Sequence, residues 1–196
     1  IIAIDLPGAP NKVAMLARSL AAFEAAGYVY IGMDHFALPE DALAVAKRQG
    51  RLHRNFQGYS TQPDCDLIGL GVSAIGKVGA TYRQNAKDLI EYQDRIDQGH
   101  LPVVRGLAVS RDDLLRRAVI MALMCQGELS FESIELAWLI DFHEYFASEM
   151  ERLLEMQQQG LVQIGADGVE VTEMGWYFVR GIAMLFDKNL QMDRSR

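Results

Sequence analysis

The sequence predicts an α/β region followed by a mostly helical region that carries a β-hairpin. Three observations carry this prediction. A helix-spaced apolar pattern near the start leads into a short, continuously apolar run; Gly99 and Pro102 then punctuate the chain, and helical periodicity dominates after them. Near the end, a segment of alternating apolar and polar residues turns through Gly165 to Gly168 and resumes, as a hairpin does.

Each element follows in order. Pro10, Val13, Leu16, Leu20 and Phe23, with Gly27 behind them, predict an amphipathic helix over 10–26. Tyr28 to Met33 reads as a strand buried on both faces, and helix then buried strand suggests an α/β layer. Pro39 opens a short helix that should stop at Gly50. The Gly-rich apolar stretch DLIGLGVSAIG follows, and 87–98 reads as a polar helix. Residues 1–100 and 101–196 are thereby expected to form separate domains.

In the second region Ser110 can cap a helix with Asp113 at N3, burying Leu115, Ala118 and Ala122. A short helix over 131–137 and a longer one over 142–159 follow, the latter ending at Gly160. Val162 and Ile164, then Val169 and Val171, make the hairpin. Thr172 caps a last helix through Leu185, giving the tail a winged-helix order.

With 196 residues, half of them hydrophobic, the chain can bury a sizeable core. Its opening run IIAIDLP lacks the length and basic flank of a signal peptide, and a start at Ile1 without Met reads as a piece of a longer chain or a processed product. No apolar run is long enough to span a membrane, so a soluble protein is expected. Cys65 and Cys125 stand sixty residues apart in no paired motif, which fits a reducing cytoplasm better than a disulfide scaffold. The net charge of −7 opposes binding to nucleic acid.

Chemistry-bearing residues are sparse. His35, His53, His100 and His143 show no HExxH spacing and no paired cysteines, so no metal site is expected within the chain. GLGVSAIG fits neither a Walker loop nor a dinucleotide fingerprint. If the strands were parallel, the loops at their ends would gather Asp34, His35, Phe36, Phe56, Gln57 and the loop near Ile75 at one mouth.

Two stretches are more specific: YIGMDHFALP and LHRNFQGYST. Together with their spacing, DLIGLGVSAIG, the YxQN of Tyr82 to Asn85, RGLAVSRDD and DGVEVTEMG, they make nearly the whole chain resemble the oxygen-independent coproporphyrinogen III oxidases, of the radical S-adenosylmethionine (SAM) class. The resemblance implies the last strands and helices of a partial (β/α) barrel followed by the helical domain. It also implies oxidative decarboxylation of two propionates of coproporphyrinogen III to vinyl groups, giving protoporphyrinogen IX in haem synthesis. The family uses a [4Fe-4S] cluster to cleave SAM, draws on an electron donor, and is expected to act as a monomer in the cytoplasm. Its CxxxCxxC cluster motif is absent from this sequence, so the 196 residues alone are expected to be inactive.

Residue by residue, the family's Phe-Gln pair beside the active site falls on Phe56 and Gln57, and its Ile contact to SAM falls on Ile75. Arg54 and His53 flank the pair and are expected, from chemistry rather than from the resemblance, to meet propionates, because Arg binds carboxylate bidentately. Asp34 and His35 are expected to hold their loop in shape.

Two other readings differ in class. A winged-helix regulatory module is opposed by Asp141, Glu144, Glu149, Glu151 and Glu155, which outnumber Arg152 along the helix that would face phosphate. A related haem-binding protein would need an axial ligand, for which His53 or Cys65 would serve.

Overall fold

The protein's structure is a computed structural model that describes residues 6–188 and 190. Residues 1–5, and with them most of the IIAIDLP run, lie outside the described residues. Helix α1 (Ala9–Ala25) has Pro in its first turn, as read from the sequence, but buries only Leu20. Strands β1 (Val29–Gly32) and β2 (His35–Ala37) follow, then α2 (Ala42–Arg48), whose N-terminus is capped by Asp41 accepting from the Leu43 N–H at 2.8 Å. Strands β3 (His53–Asn55) and β4 (Gly58–Ser60) form a second hairpin. An irregular segment, 61–74, leads to β5 (Ile75–Val78) and β6 (Thr81–Asn85); α3 (Leu89–Asp97) then precedes β7 (Val103–Ala108).

The order of an α/β part followed by a helical part holds. The condition of parallel strands is not met: each strand pair among the described residues is antiparallel. The reason is connection length. Only Met33 and Asp34 separate β1 from β2, and only Phe56 and Gln57 separate β3 from β4. So short a link joins antiparallel neighbours, whereas a parallel pair needs a crossover of a dozen or more residues. The sheet β5-β6-β7 runs across residue 100, since β7 pairs with β6.

The helical part begins at α4 (Arg111–Gln126) with a complete capping box: the Asp113 N–H donates to Ser110 Oγ, and the Ser110 N–H to Asp113 Oδ2 at 2.8 Å. After β8 (Glu128–Ser130) come α5 (Phe131–Trp138), α6 (Phe142–Tyr145) and α7 (Ala147–Gln158). The single helix read over 142–159 is thus two, divided at Phe146, whose backbone departs to φ −108°, ψ 29° while its fully buried ring packs among Phe142, Tyr145 and Phe186. The hairpin β9 (Val162–Ile164) and β10 (Gly168–Val171) is present, with β8 as a third strand in the order β8-β10-β9. The last helix is broken into α8 (Glu173–Trp176), α9 (Val179–Ala183) and a 3-10 turn, Met184–Phe186; Phe178, at φ −117°, interrupts it.

The larger core lies in this helical part, around Val119, Leu123, Phe142, Phe146 and Phe186. A smaller cluster joins Ile31, Ala44, Leu52 and Tyr59 to Cys125 at the end of α4. Helix α4 therefore belongs to both, and it fixes the β3–β4 hairpin against the helical part. Polar contacts reinforce the joint: the Tyr59 hydroxyl donates to the Met124 carbonyl at 2.8 Å and Gln126 Nε2 to the Leu52 carbonyl at 3.0 Å. Among the described residues no helix is long and apolar enough to cross a membrane.

Candidate active site

A cavity of about 660 Å³ opens between the β3–β4 hairpin, segment 61–74, the β5–β6 pair and α4. Its lining includes His53, Arg54, Phe56 and Gln57, so four of the residues singled out in the sequence do meet at one site. Phe56 and Gln57 form the turn of the hairpin. The Gln57 N–H donates to Asn55 Oδ1 at 2.9 Å, an Asx turn that sets the tip and leaves both side chains exposed. The Phe56 ring meets the Tyr82 ring edge to face, with centroids 5.3 Å apart.

Ile75 does not line this cavity. It opens β5 half-buried, opposite Gln84, behind a loop that Asn85 holds by donating from Nδ2 to the Gly69 and Gly71 carbonyls at 3.2 and 2.9 Å. Asp34, His35 and Phe36 are also absent from the lining, which corrects the single mouth expected of parallel strands: β2 folds back on β1 and carries them elsewhere. Phe36 stacks on Phe23 of α1 with centroids 4.2 Å apart. His35 Nδ1 lies 2.8 Å from Asp34 Oδ1, and its ring packs edge-on to Tyr59.

These residues interlock the two specific sequence stretches. A Cβ on Gly58 would stand 2.5 Å from His35 Nε2, and one on Gly32 would stand 2.4 Å from the Tyr59 hydroxyl. Both glycines have positive φ, +133° and +155°. The glycine of YIGMDHF thus makes room for the tyrosine of FQGY, and the glycine of FQGY for the histidine of DHF. The exchange ties the β1–β2 hairpin to the β3–β4 hairpin, whose turn holds Phe56 and Gln57.

The cavity's charges are not balanced. Arg117 of α4 reaches Asp64 by a two-pronged contact at 2.7 and 2.9 Å, and Lys77 of β5 meets the same carboxylate at 2.6 Å. Burial pushes the Asp64 carboxyl up, but Arg117 and Lys77 outweigh it and hold the group below the usual carboxylate range. Arg54 lies over the Tyr59 ring, 4.8 Å from its centroid, and its Nη1 is buried without a hydrogen-bond partner. Burial raises the Tyr59 hydroxyl, and it pushes the Cys125 thiol up to about 11.

The thiols decide whether an iron–sulfur cluster fits here. Cluster ligands are thiolates, yet Cys125 is buried in its protonated form and Cys65 is exposed elsewhere on the lining. With two cysteines in the whole sequence, the residues of this chain do not fit a [4Fe-4S] cluster. Asp64, Lys77 and Arg117 were not read from the sequence. Nothing in their spacing distinguishes them from surface charges, and only the folded arrangement joins residues thirteen and fifty-three positions apart.

Comparison with known proteins agrees with the resemblance. Residues 109–178 match the family described as HemN C-terminal domain. The oxygen-independent coproporphyrinogen III oxidase of Pseudomonas aeruginosa is 49% identical over this entire chain, which covers 43% of that protein. That of Thermostichus vulcanus is 44% identical over 97% of the chain, covering 59% of the relative. The solved structure of coproporphyrinogen III oxidase (HemN) from Escherichia coli, described as a radical SAM enzyme, superposes with a TM-score of 0.90 at 44% identity over 96% of this chain and 44% of that one. The chain spans less than half the length of the Pseudomonas and Escherichia relatives. Over that part of their length, it is a homologue of the oxygen-independent coproporphyrinogen III oxidases.

Proposed function

We propose that these 196 residues supply the substrate-facing wall of an oxygen-independent coproporphyrinogen III oxidase, which converts two propionates of coproporphyrinogen III to vinyl groups. The observation that carries this reading is the cavity where the HRNFQG residues meet a surplus of positive charge, in a chain 49% identical to such an enzyme. A tetracarboxylate substrate calls for that charge, and Arg54, with an unpartnered buried nitrogen, is placed to receive a propionate beside His53. Gln57, at the hairpin tip, offers an amide donor and acceptor to SAM or substrate; Phe56 offers apolar surface, and Ile75 contacts SAM from the start of β5.

The cluster and SAM supply the radical that takes the propionate hydrogen. The cluster's cysteines belong to sequence outside these residues, so this chain alone does not turn over substrate. Its own part is to bind, orient and exclude water. We read residues 1–100 as the barrel contribution and 101–196 as the helical domain, with β7 as the seam that pairs back to β6. The exposed apolar side chains of α1, Val13, Met15 and Phe23, then face further barrel elements of the longer polypeptide. An electron donor, a cytoplasmic setting and a monomeric enzyme complete the reading.

The test is an anaerobic assay of the complete polypeptide, reconstituted with iron and sulfide and given SAM, reductant and coproporphyrinogen III. Protoporphyrinogen IX with matching 5′-deoxyadenosine is expected. Gln57→Ala should lower product formation at least tenfold with thermal stability within about 0.5 kcal/mol, as for an exposed side chain. Equal loss of both would count against a role for Gln57 in the reaction.

A further inference from the structure

The charged residues lining the cavity are three cations, Arg54, Lys77 and Arg117, and one anion, Asp64. They fall into two poles. Arg54 stands over Tyr59 with Nη1 buried and unpartnered. Lys77 and Arg117 converge on Asp64, with contacts of 2.6, 2.7 and 2.9 Å. The fork from Arg117 is the bidentate arrangement that a guanidinium makes with any carboxylate, including one on a ligand.

The seating of the partners is unequal. The Lys77 and Arg117 side chains are 14% and 23% exposed and rise from a paired strand and a sixteen-residue helix. Asp64 is 49% exposed and sits on irregular chain. The cations are therefore fixed by regular elements, and the carboxylate is the member that can withdraw. Its departure would leave two desolvated cations facing a cavity already supplied with Arg54.

We infer that Asp64 is an internal stand-in for a ligand carboxylate: Lys77 and Arg117 form one carboxylate-binding pole, Arg54 the other, and a polycarboxylate spanning both displaces Asp64. This inference rests on the reading of the cavity as substrate-facing and adds to it a second pole, from α4 and β5, and a competitor built into the chain. Asp64 then acts as a specificity device. A ligand with one acid group gains a pairing only at Arg54, whereas one with several also recovers what Asp64 gives up.

The experiment titrates this chain with coproporphyrin III, the air-stable aromatic tetracarboxylate, following its fluorescence, with the tetramethyl ester as the uncharged control. Asp64→Asn removes the competitor in an isosteric side chain. It should tighten binding about tenfold, the worth of roughly one charge-assisted hydrogen bond, while lowering the melting temperature. Arg117→Gln should weaken binding by about the same factor, and the ester should bind more weakly than the acid.

A simple structural tie gives a different result: Asp64→Asn melts lower and binds no better. That outcome, an ester that binds as well as the acid, or no saturable binding of coproporphyrin III would overturn the inference. If Asp64→Asn does not fold, Arg117→Gln and the ester still decide it. Turnover by the complete enzyme is a separate readout, so product formation with unchanged affinity in Asp64→Asn rejects the stand-in while sparing the assignment of the reaction.

Discussion

Single atoms explain why two stretches of this chain are so specific. Gly58 faces the His35 imidazole and Gly32 the Tyr59 hydroxyl at distances that leave no room for a methyl group. Gly58→Ala should therefore cost about 2 kcal/mol or more, from left-handed strain and from displacing a half-buried ring. Urea unfolding measures it, and a loss under about 0.5 kcal/mol would mean that His35 swings aside freely. The sequence named these motifs without disclosing that they lock into each other. That His53, Arg54, Phe56 and Gln57 lie together was legible, because neighbours in sequence share one hairpin. Asp64 and Arg117 were not, because their meaning lies in a contact that only tertiary folding creates.

Among the elements, α4 carries the most consequence. Its Arg116 lies between Asp112, one turn earlier at 2.9 Å, and the buried Glu149 of α7 at 2.7 Å; the Tyr145 hydroxyl and Lys188 also meet Asp112. Burial raises the Glu149 carboxyl, but Arg116 and Ser148 outweigh it and hold it below its ordinary value. Asp112 is held low in the same way by Tyr145, Lys188 and Arg116. A carboxylate with a lowered folded-state pKa adds stability that is complete above its unfolded value and is lost as pH falls through the folded one. The helical part should thus lose stability progressively below about pH 4.5, the unfolded carboxylate range. Glu149→Gln should flatten that loss and cost about 1–2 kcal/mol at neutral pH; parallel pH profiles for the two proteins would refute the assignment. Helix starts were legible because caps are local, as Ser110 and Asp113 show. The breaks at Phe146 and Phe178 were not, because aromatic packing overrides a periodic pattern that runs straight through both. The hairpins β1–β2 and β3–β4 were not read, because their two-residue turns went unrecognised.

In the whole molecule, the α/β part and the helical part meet along α4 and again beside α8. Lys47 of α2 donates to the Tyr30 and Ile31 carbonyls at 2.8 and 2.9 Å and lies 4.2 Å from the ring centre of Trp176 in α8. Burial pushes its ammonium down to about 8, so the folded chain releases this proton at a pH where the unfolded chain still holds it. Trp176 and Trp138 are the only two tryptophans of the sequence. The seam thereby contains its own optical probe. In a Trp138→Phe chain the indole emission should step near pH 8 as the charge over the ring disappears, and Lys47→Met should abolish the step. A flat trace in the parent would show that the two parts do not hold this contact in solution.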